Sequence, residues 1–217
     1  MQRTTTSKRW LAALLGLGLL ATAPLGAQEI GDIWCTDGSF VKPADWATAT
    51  GKTAKGVVFW VDPASPTHGL ACALKDAGTG KWCLNNTTDV PTLTNVTGFE
   101  DALGDMAGQA NTQALRALTP ATDYPAANLI SAADIAAGWY MPAIGELNLL
   151  YTHYAQVAPA LQKVVDRDAG TATTMNNNFY WSSMECSASA AWSIDGDGYL
   201  GNSLKVYVGS VRAVAAF

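Results

Sequence analysis

The chain has 217 residues, with 13 Lys and Arg against 18 Asp and Glu and a formal charge of −5. An acidic chain whose few cations are scattered argues against nucleic acid and against anionic lipid, since both partners need clustered Lys and Arg. Hydrophobic residues make up 49% of the chain, enough for a substantial core.

Lys8 and Arg9 precede an apolar run from Trp10 to Leu20, small residues follow, and Ala27 stands at a suitable cut point. That order is the order of a secretory signal peptide over residues 1–27. The run falls short of the roughly 20 apolar residues that a membrane span needs. An uncleaved N-terminal anchor is the competing reading. Cleavage would leave 190 residues, 28–217, and loss of Arg3, Lys8 and Arg9 would take the charge from −5 to −8. The expectation is one exported domain, periplasmic, secreted or at the cell surface, with no membrane insertion after cleavage.

Asp32 to Lys42 reads as a hairpin turned at Asp37-Gly38. Ala44 to Lys55 is small and polar and reads as a loop. Gly56 to Asp62 (GVVFWVD) is a β-branched and aromatic run of the kind buried on both faces. Gly69 to Lys75 is the next strand, and the two could form a central hairpin across the Pro63–His68 turn. Lys81 to Thr97 is a Thr/Asn-rich surface loop.

Phe99, Leu103, Met106 and Ala110 recur at helical spacing and predict helix over 98–118, with Asn111-Thr112 as a candidate break or second cap before Gln113. A short helix is expected after Pro125. Another begins at Pro142, which pre-sets the helical φ, with Glu146 near the favourable end of the helix dipole. Helix continues from Ala158 to Val165. From Tyr180 to Phe217 the pattern becomes short strands. Ala190, Trp192 and Ile194 share one strand face, and Ser189, Ala191, Ser193 and Asp195 share the other. Asp195-Gly-Asp-Gly198 is a turn. Leu204, Val206 and Val208 alternate with Lys205 and Tyr207. The whole is expected to be α+β in one domain.

All four cysteines lie beyond the signal segment, and outside the cytosol an even count favours disulfides. Four cysteines allow three pairings. Two strand-like segments joined by Asp76–Gly80 favour Cys72–Cys83, which leaves Cys35–Cys186. Zinc is the rival, but there is no CxxC, and His68 and His153 are the only histidines. His68 reads as a solvated turn residue and His153 as a helix-surface residue. No nucleophile elbow and no phosphate-binding loop is present. Asp195-x-Asp197-Gly198 fails as an EF-hand because the twelfth position is Val206, which leaves a different oxygen-rich calcium site as the alternative there. The sequence therefore assigns no catalytic residue, no metal and no cofactor.

Tyr199 and Tyr207 fall among Gly, Ser, Asn and Asp, a composition typical of adaptable binding surfaces. A merely polar strand face is the plainer alternative.

Several segments in order carry a resemblance: Gly138-Trp-Tyr-Met-Pro142, Gly145-Glu146-Leu147, Tyr180-Trp-Ser-Ser183 with Glu185, Ala191-Trp192 and Val211-Arg212-Ala213-Val214. Asp32–Ser39, Gly56–Asp62, Gly69–Asp76 and Asp105–Thr112 fit the same order. Together they resemble C-type lectin-fold domains. The branch they look most like is the exported variable proteins diversified by diversity-generating retroelements. They are also similar to fimbrial and adhesin-type domains with a W-x-x-P…E-L helix motif.

The resemblance implies a C-type lectin-like fold that displays a C-terminal variable region, here 176–212, to a protein or glycan ligand. Carried over residue by residue, the candidate ligand-binding positions are Met184, Cys186, Ser187, Ser189, Ser193, Asp195, Asp197, Tyr199, Asn202, Ser203, Lys205 and Tyr207. Cys186 leaves that set if it is disulfide-bonded. Trp181, Ala190, Trp192, Ile194, Leu204, Val206, Val208 and Val211 are expected to be the buried scaffold between them. Formylglycine-generating enzymes share the fold, but the reactive cysteine pair they need has no match here.

Overall fold

The computed structural model describes residues 27–217. The segment read as a signal peptide lies, apart from Ala27, outside the described residues.

The predicted N-terminal hairpin forms from β1 (Ile33–Cys35) and β2 (Phe40–Val41). Gly38 takes a φ of 83° in its turn, a region open mainly to glycine. The apolar run becomes β3 (Ala54–Asp62), antiparallel to β4 (Ser65–Ala73) as expected, and its centre, Gly56 to Phe59, is buried. The last strand, β10 (Val214–Ala216), pairs with the other side of β4, giving a first sheet in the order β10-β4-β3-β1-β2.

A second sheet collects β5 (Gly78–Lys81), β6 (Tyr180–Glu185), β7 (Ala190–Ile194), β8 (Leu200–Leu204) and β9 (Val208–Val211). Its order is β5-β9-β6-β7-β8, so the chain leaves β8 at one edge and returns as β9 beyond β6.

Among the described residues six α-helices connect the sheets: α1 (Phe99–Leu103), α2 (Gly108–Ala117), α3 (Pro125–Asn128), α4 (Ala132–Ala136), α5 (Ile144–Thr152) and α6 (Tyr154–Arg167). The helical stretch predicted over 98–118 is two helices, and the break falls at 104–107 rather than at the candidate Asn111-Thr112. It breaks where the Asp105 carbonyl accepts the Gly145 N–H at 3.1 Å. A Cβ on Gly145 would come within 2.5 Å of the Leu103 and Asp105 carbonyls, so only glycine permits this crossing.

Pro142 lies just before the start of α5 rather than in its first turn. Glu146 does act at that start: its carboxylate accepts the Ala143 N–H at 2.8 Å, and the Tyr140 hydroxyl donates to it at 2.8 Å. Burial pushes the Glu146 carboxyl up to about 7.

Two apolar clusters hold the sheets. The first packs Ile33, Val57 and Phe59 against Leu147, Leu150, Leu161 and Val164 of α5 and α6, and against Tyr180, Met184, Trp192 and Ile194. The second gathers Trp34, Trp82, Leu115, Ile130, Trp139, Met141, Trp181 and Val211. Each large side chain fully buried in this way contributes about 1.5–3 kcal/mol. Alternation along β6 and β7 sends Tyr180, Trp192 and Ile194 into the first cluster and Trp181 and Ala191 into the second.

The cysteine pairings do not form, and all four thiols are free. The hairpin expected for Cys72 and Cys83 does not form because β4 and β5 belong to different sheets; Cys72 packs in the first cluster and Cys83, past the end of β5, in the second. Cys35 sits in the first sheet and Cys186 just past β6 in the second; the C-terminal strand that does join the first sheet is β10. Burial raises the Cys72 thiol to about 11, a value of an inert structural cysteine.

Candidate functional site

The predicted positions divide into a buried set and a displayed set. Three of them are not surface residues. Met184 and Ser193 are buried, and Lys205 is completely so. Met184 and Ser193 are enclosed because the second sheet is covered on both faces at β6 and β7; Lys205 lies outside those strands and is buried for a different reason. Met184 packs in the first cluster, and its sulfur faces the Ile144 N–H at 3.3 Å. The strand face assigned to display along β7 points instead into the second cluster, with Ala191 fully enclosed.

Lys205 has the most specific environment. The chain crosses the end of the sheet between β8 and β9, and this crossing carries Lys205 inward. Its Nζ pairs with Glu185, both side chains having no solvent exposure, and donates to the carbonyls of Ala188 at 2.8 Å and Thr88 at 3.3 Å. Glu185 also accepts the Val90 N–H at 3.0 and 3.1 Å. The ion pair thus pins the 82–98 loop and the β6–β7 turn to one point. Breaking such a pair by removing one partner is costly, because the other charge remains desolvated.

The displayed set lies on the edge strand β8 and in the turns that follow β6, β7 and β8. Tyr199 is 76% exposed and Tyr207 53%. Asp195, Asp197 and Asn202 are exposed, and Cys186, Ser187, Ser189 and Ser203 are half-buried. Asp195 is a turn former: its Oδ1 accepts the N–H groups of Asp197 at 3.0 Å and Tyr199 at 2.8 Å. Gly198 completes the turn with a φ of 85°. The turn is seated on Asn177, since a Cβ at Gly196 would lie 2.5 Å from that residue's backbone. Asp197 presents its carboxylate outward from this fixed turn. Among the described residues no group of three or more His, Cys, Asp or Glu is arranged to hold a metal ion.

The sequence reading placed Leu204 and Val208 in the scaffold, and both are exposed instead, at 39% and 59%. Val206 is half-buried, while Trp181, Ala190, Trp192, Ile194 and Val211 are buried as expected. The alternation over 204–208 assumed one continuous strand. The chain there is a strand end, a turn at 205–207 and a new strand, so the parity of Leu204 and Val208 inverts. Leu84, 49% exposed, is a further apolar surface residue. No periodicity marked it, because it follows the end of a strand.

The histidines are held locally. His68 lies in the exposed start of β4 rather than in the turn, which is only Pro63-Ala64, and its Nδ1 is 2.7 Å from the Ser65 hydroxyl; His153 Nδ1 lies 3.1 Å from the Leu149 carbonyl where α5 meets α6. A cavity of about 410 Å³ lies where the sheets diverge, lined by Lys55, Lys75, Asp76, Asp134 and Trp139 among others, and it includes none of the displayed residues. Among the described residues no helix is long and apolar enough to cross a membrane.

No family model matches this chain, and no curated protein sequence does. Among solved structures, the chain is similar to a fimbrial protein from Bacteroides ovatus ATCC 8483, with a TM-score of 0.64 and 20% sequence identity. The likeness covers 88% of this chain and 49% of that one, so this chain spans about half the length of the fimbrial protein. At that identity the fold is what the two share.

Proposed function

We propose that this chain is an exported ligand-binding protein, adhesin- or receptor-like, on a C-type lectin-like domain whose region 176–212 is the diversifiable part. The observation that carries this reading is the pairing of Tyr199 and Tyr207, both exposed, with a scaffold locked behind them by the Lys205–Glu185 pair. Tyrosine offers contact area at low entropy cost, and Asp, Asn and Ser beside it supply adaptable hydrogen bonds. The recognition surface is then Cys186, Ser187, Ser189, Asp195, Asp197, Tyr199, Asn202, Ser203 and Tyr207, enlarged by Leu204 and Val208. Its ligand is a protein or a glycan.

The test is a combined Asp197→Ala, Tyr199→Ala, Tyr207→Ala variant, screened beside the wild type on a glycan array and against displayed surface proteins. Binding by the wild type that the folded variant loses supports this surface. Equal binding by both refutes it. The diversification component is tested in the genome, where a near-repeat of the coding sequence for 176–212, differing at adenines, should adjoin a reverse transcriptase.

The second reading is a pilus- or surface-associated subunit that uses the same face for assembly. The fold shared with a fimbrial protein favours it.

A further inference from the structure

We infer that β8 pairs with the β8 of a second copy of this chain, antiparallel about Asn202, joining two five-stranded sheets into one of ten strands. This gives the assembly reading a geometry and does not depend on the ligand reading.

The sheets have four edges, and three are closed or short. β10 is closed on its outer side, where Tyr140 and Val214 exchange both backbone hydrogen bonds at 2.8 and 2.9 Å. β5 has four residues, Gly78–Lys81, two of them glycine, and α3 lies on one of its faces. β2 has two residues. β8 has five, Leu200-Gly-Asn-Ser-Leu204, paired to β7 on one side in unbroken register. A Cβ at Gly201 would meet nothing within 4 Å.

The hydrogen-bond parity of this edge follows from its two ends. Asp195 N–H donates to the Tyr199 carbonyl, and Lys205 N–H donates to the Ser189 carbonyl, at 3.0 Å each. Bonded and non-bonded pairs alternate along an antiparallel ladder, so Gly201 and Ser203 also face β7. Leu200, Asn202 and Leu204 therefore direct their N–H groups outward, a template for another strand.

Edges are ordinarily guarded by Lys, Pro or a bulge. β8 has none of the three. Its sequence is also self-complementary in the register the parity demands. A two-fold axis at Asn202 sets Asn202 opposite Asn202 and Leu200 opposite Leu204, whose N–H groups all point outward; the Leu204 carbonyl also accepts the Tyr207 N–H at 2.8 Å. The same axis lays the acidic Asp195–Asp197 turn of one copy beside the Lys205–Val208 end of the other, which carries no acidic residue. A parallel arrangement would set the two acidic turns together.

Sedimentation equilibrium of the protein lacking residues 1–27, over a wide concentration range, tests this. The wild type should approach twice the protomer mass. Asn202→Pro removes only an outward N–H, which an edge strand tolerates. Asn202→Lys sets two cations face to face on the axis, and should raise the dimer dissociation constant roughly tenfold or more. Both variants should keep the wild-type circular dichroism. A wild-type monomer at every concentration overturns the proposal, and so does a dimer that neither variant weakens. If Asn202→Pro unfolds, Asn202→Lys alone decides. Because Asn202 also belongs to the proposed recognition surface, the two readings are separated with the Asp197→Ala, Tyr199→Ala, Tyr207→Ala variant, which should stay dimeric while losing ligand capture; loss of its dimer would overturn the pairing about Asn202.

Discussion

β7 and β8 are neighbours in one sheet, five residues each, and both mix small, polar and aliphatic side chains. Every residue of β7 is buried, whereas none of β8 is. Residue types alone do not account for this, since Ser193 of β7 is enclosed and its hydrogen-bonding partner Ser203 of β8, 3.2 Å away, is half-exposed. The difference is position. β7 has a strand on each side and an apolar cluster on each face; β8 has one strand beside it. Display is thus a property of the sheet margin rather than of polar composition.

The strongest way to break that contrast is at Lys205, which anchors the buried half. Lys205→Met leaves the Glu185 carboxylate desolvated and without its cation, and should cost about 3–5 kcal/mol in urea unfolding. Adding Glu185→Gln should recover most of the loss. A single-variant cost under about 1 kcal/mol would mean the pair is not holding the end of β6 and β7.

A second lever acts through pH. The start of α5 is docked on β6 by the Ser183 N–H, which donates to the Pro142 carbonyl at 2.7 Å, and Glu146 holds that start. Its folded carboxyl is raised from 4.5 to about 7, chiefly by burial. The folded state therefore keeps a proton that the unfolded chain has released. Its stabilising contribution is complete below about pH 4.5 and is lost as pH rises toward 7, by roughly 2–4 kcal/mol in all. Glu146→Gln should flatten this slope; an unchanged pH profile would assign it to another group.

At the margin the expected effects are smaller. Asp195→Ala removes two turn hydrogen bonds and should cost about 1 kcal/mol. Asp197→Ala, one residue beyond Gly196, should change unfolding by less than about 0.5 kcal/mol. Equal costs would erase the distinction between the residue that builds the turn and the one it presents. Smallest of all is the effect of reductant. With four free thiols, dithiothreitol should leave the melting temperature where it was. A drop of several degrees would restore a disulfide.

Much of the fold was legible in the sequence. The β3–β4 hairpin followed from a β-branched run and a breaker-rich turn. The helix after Pro142 and the N-terminal hairpin followed from local signals of the same kind. Tyr199 and Tyr207 were read as exposed from their polar, glycine-rich neighbours, and they are. The errors have one cause, which is that each needed long-range information. The 98–118 helix broke for the N–H of Gly145, and the cysteine pairing failed because β4 and β5 enter different sheets.

The sequence by itself determined most of the strands and helices and the turn that carries Asp195 and Tyr199, because these depend on side-chain chemistry within a few residues; β5, which forms at Gly78–Lys81 where the sequence reads as a turn, needed β9 beside it. Only the tertiary structure decided which polar residues face water. Burial is set by what other segments lie on a face, and the crossing from β8 to β9 put Lys205 against Glu185 while turning Leu204 and Val208 outward.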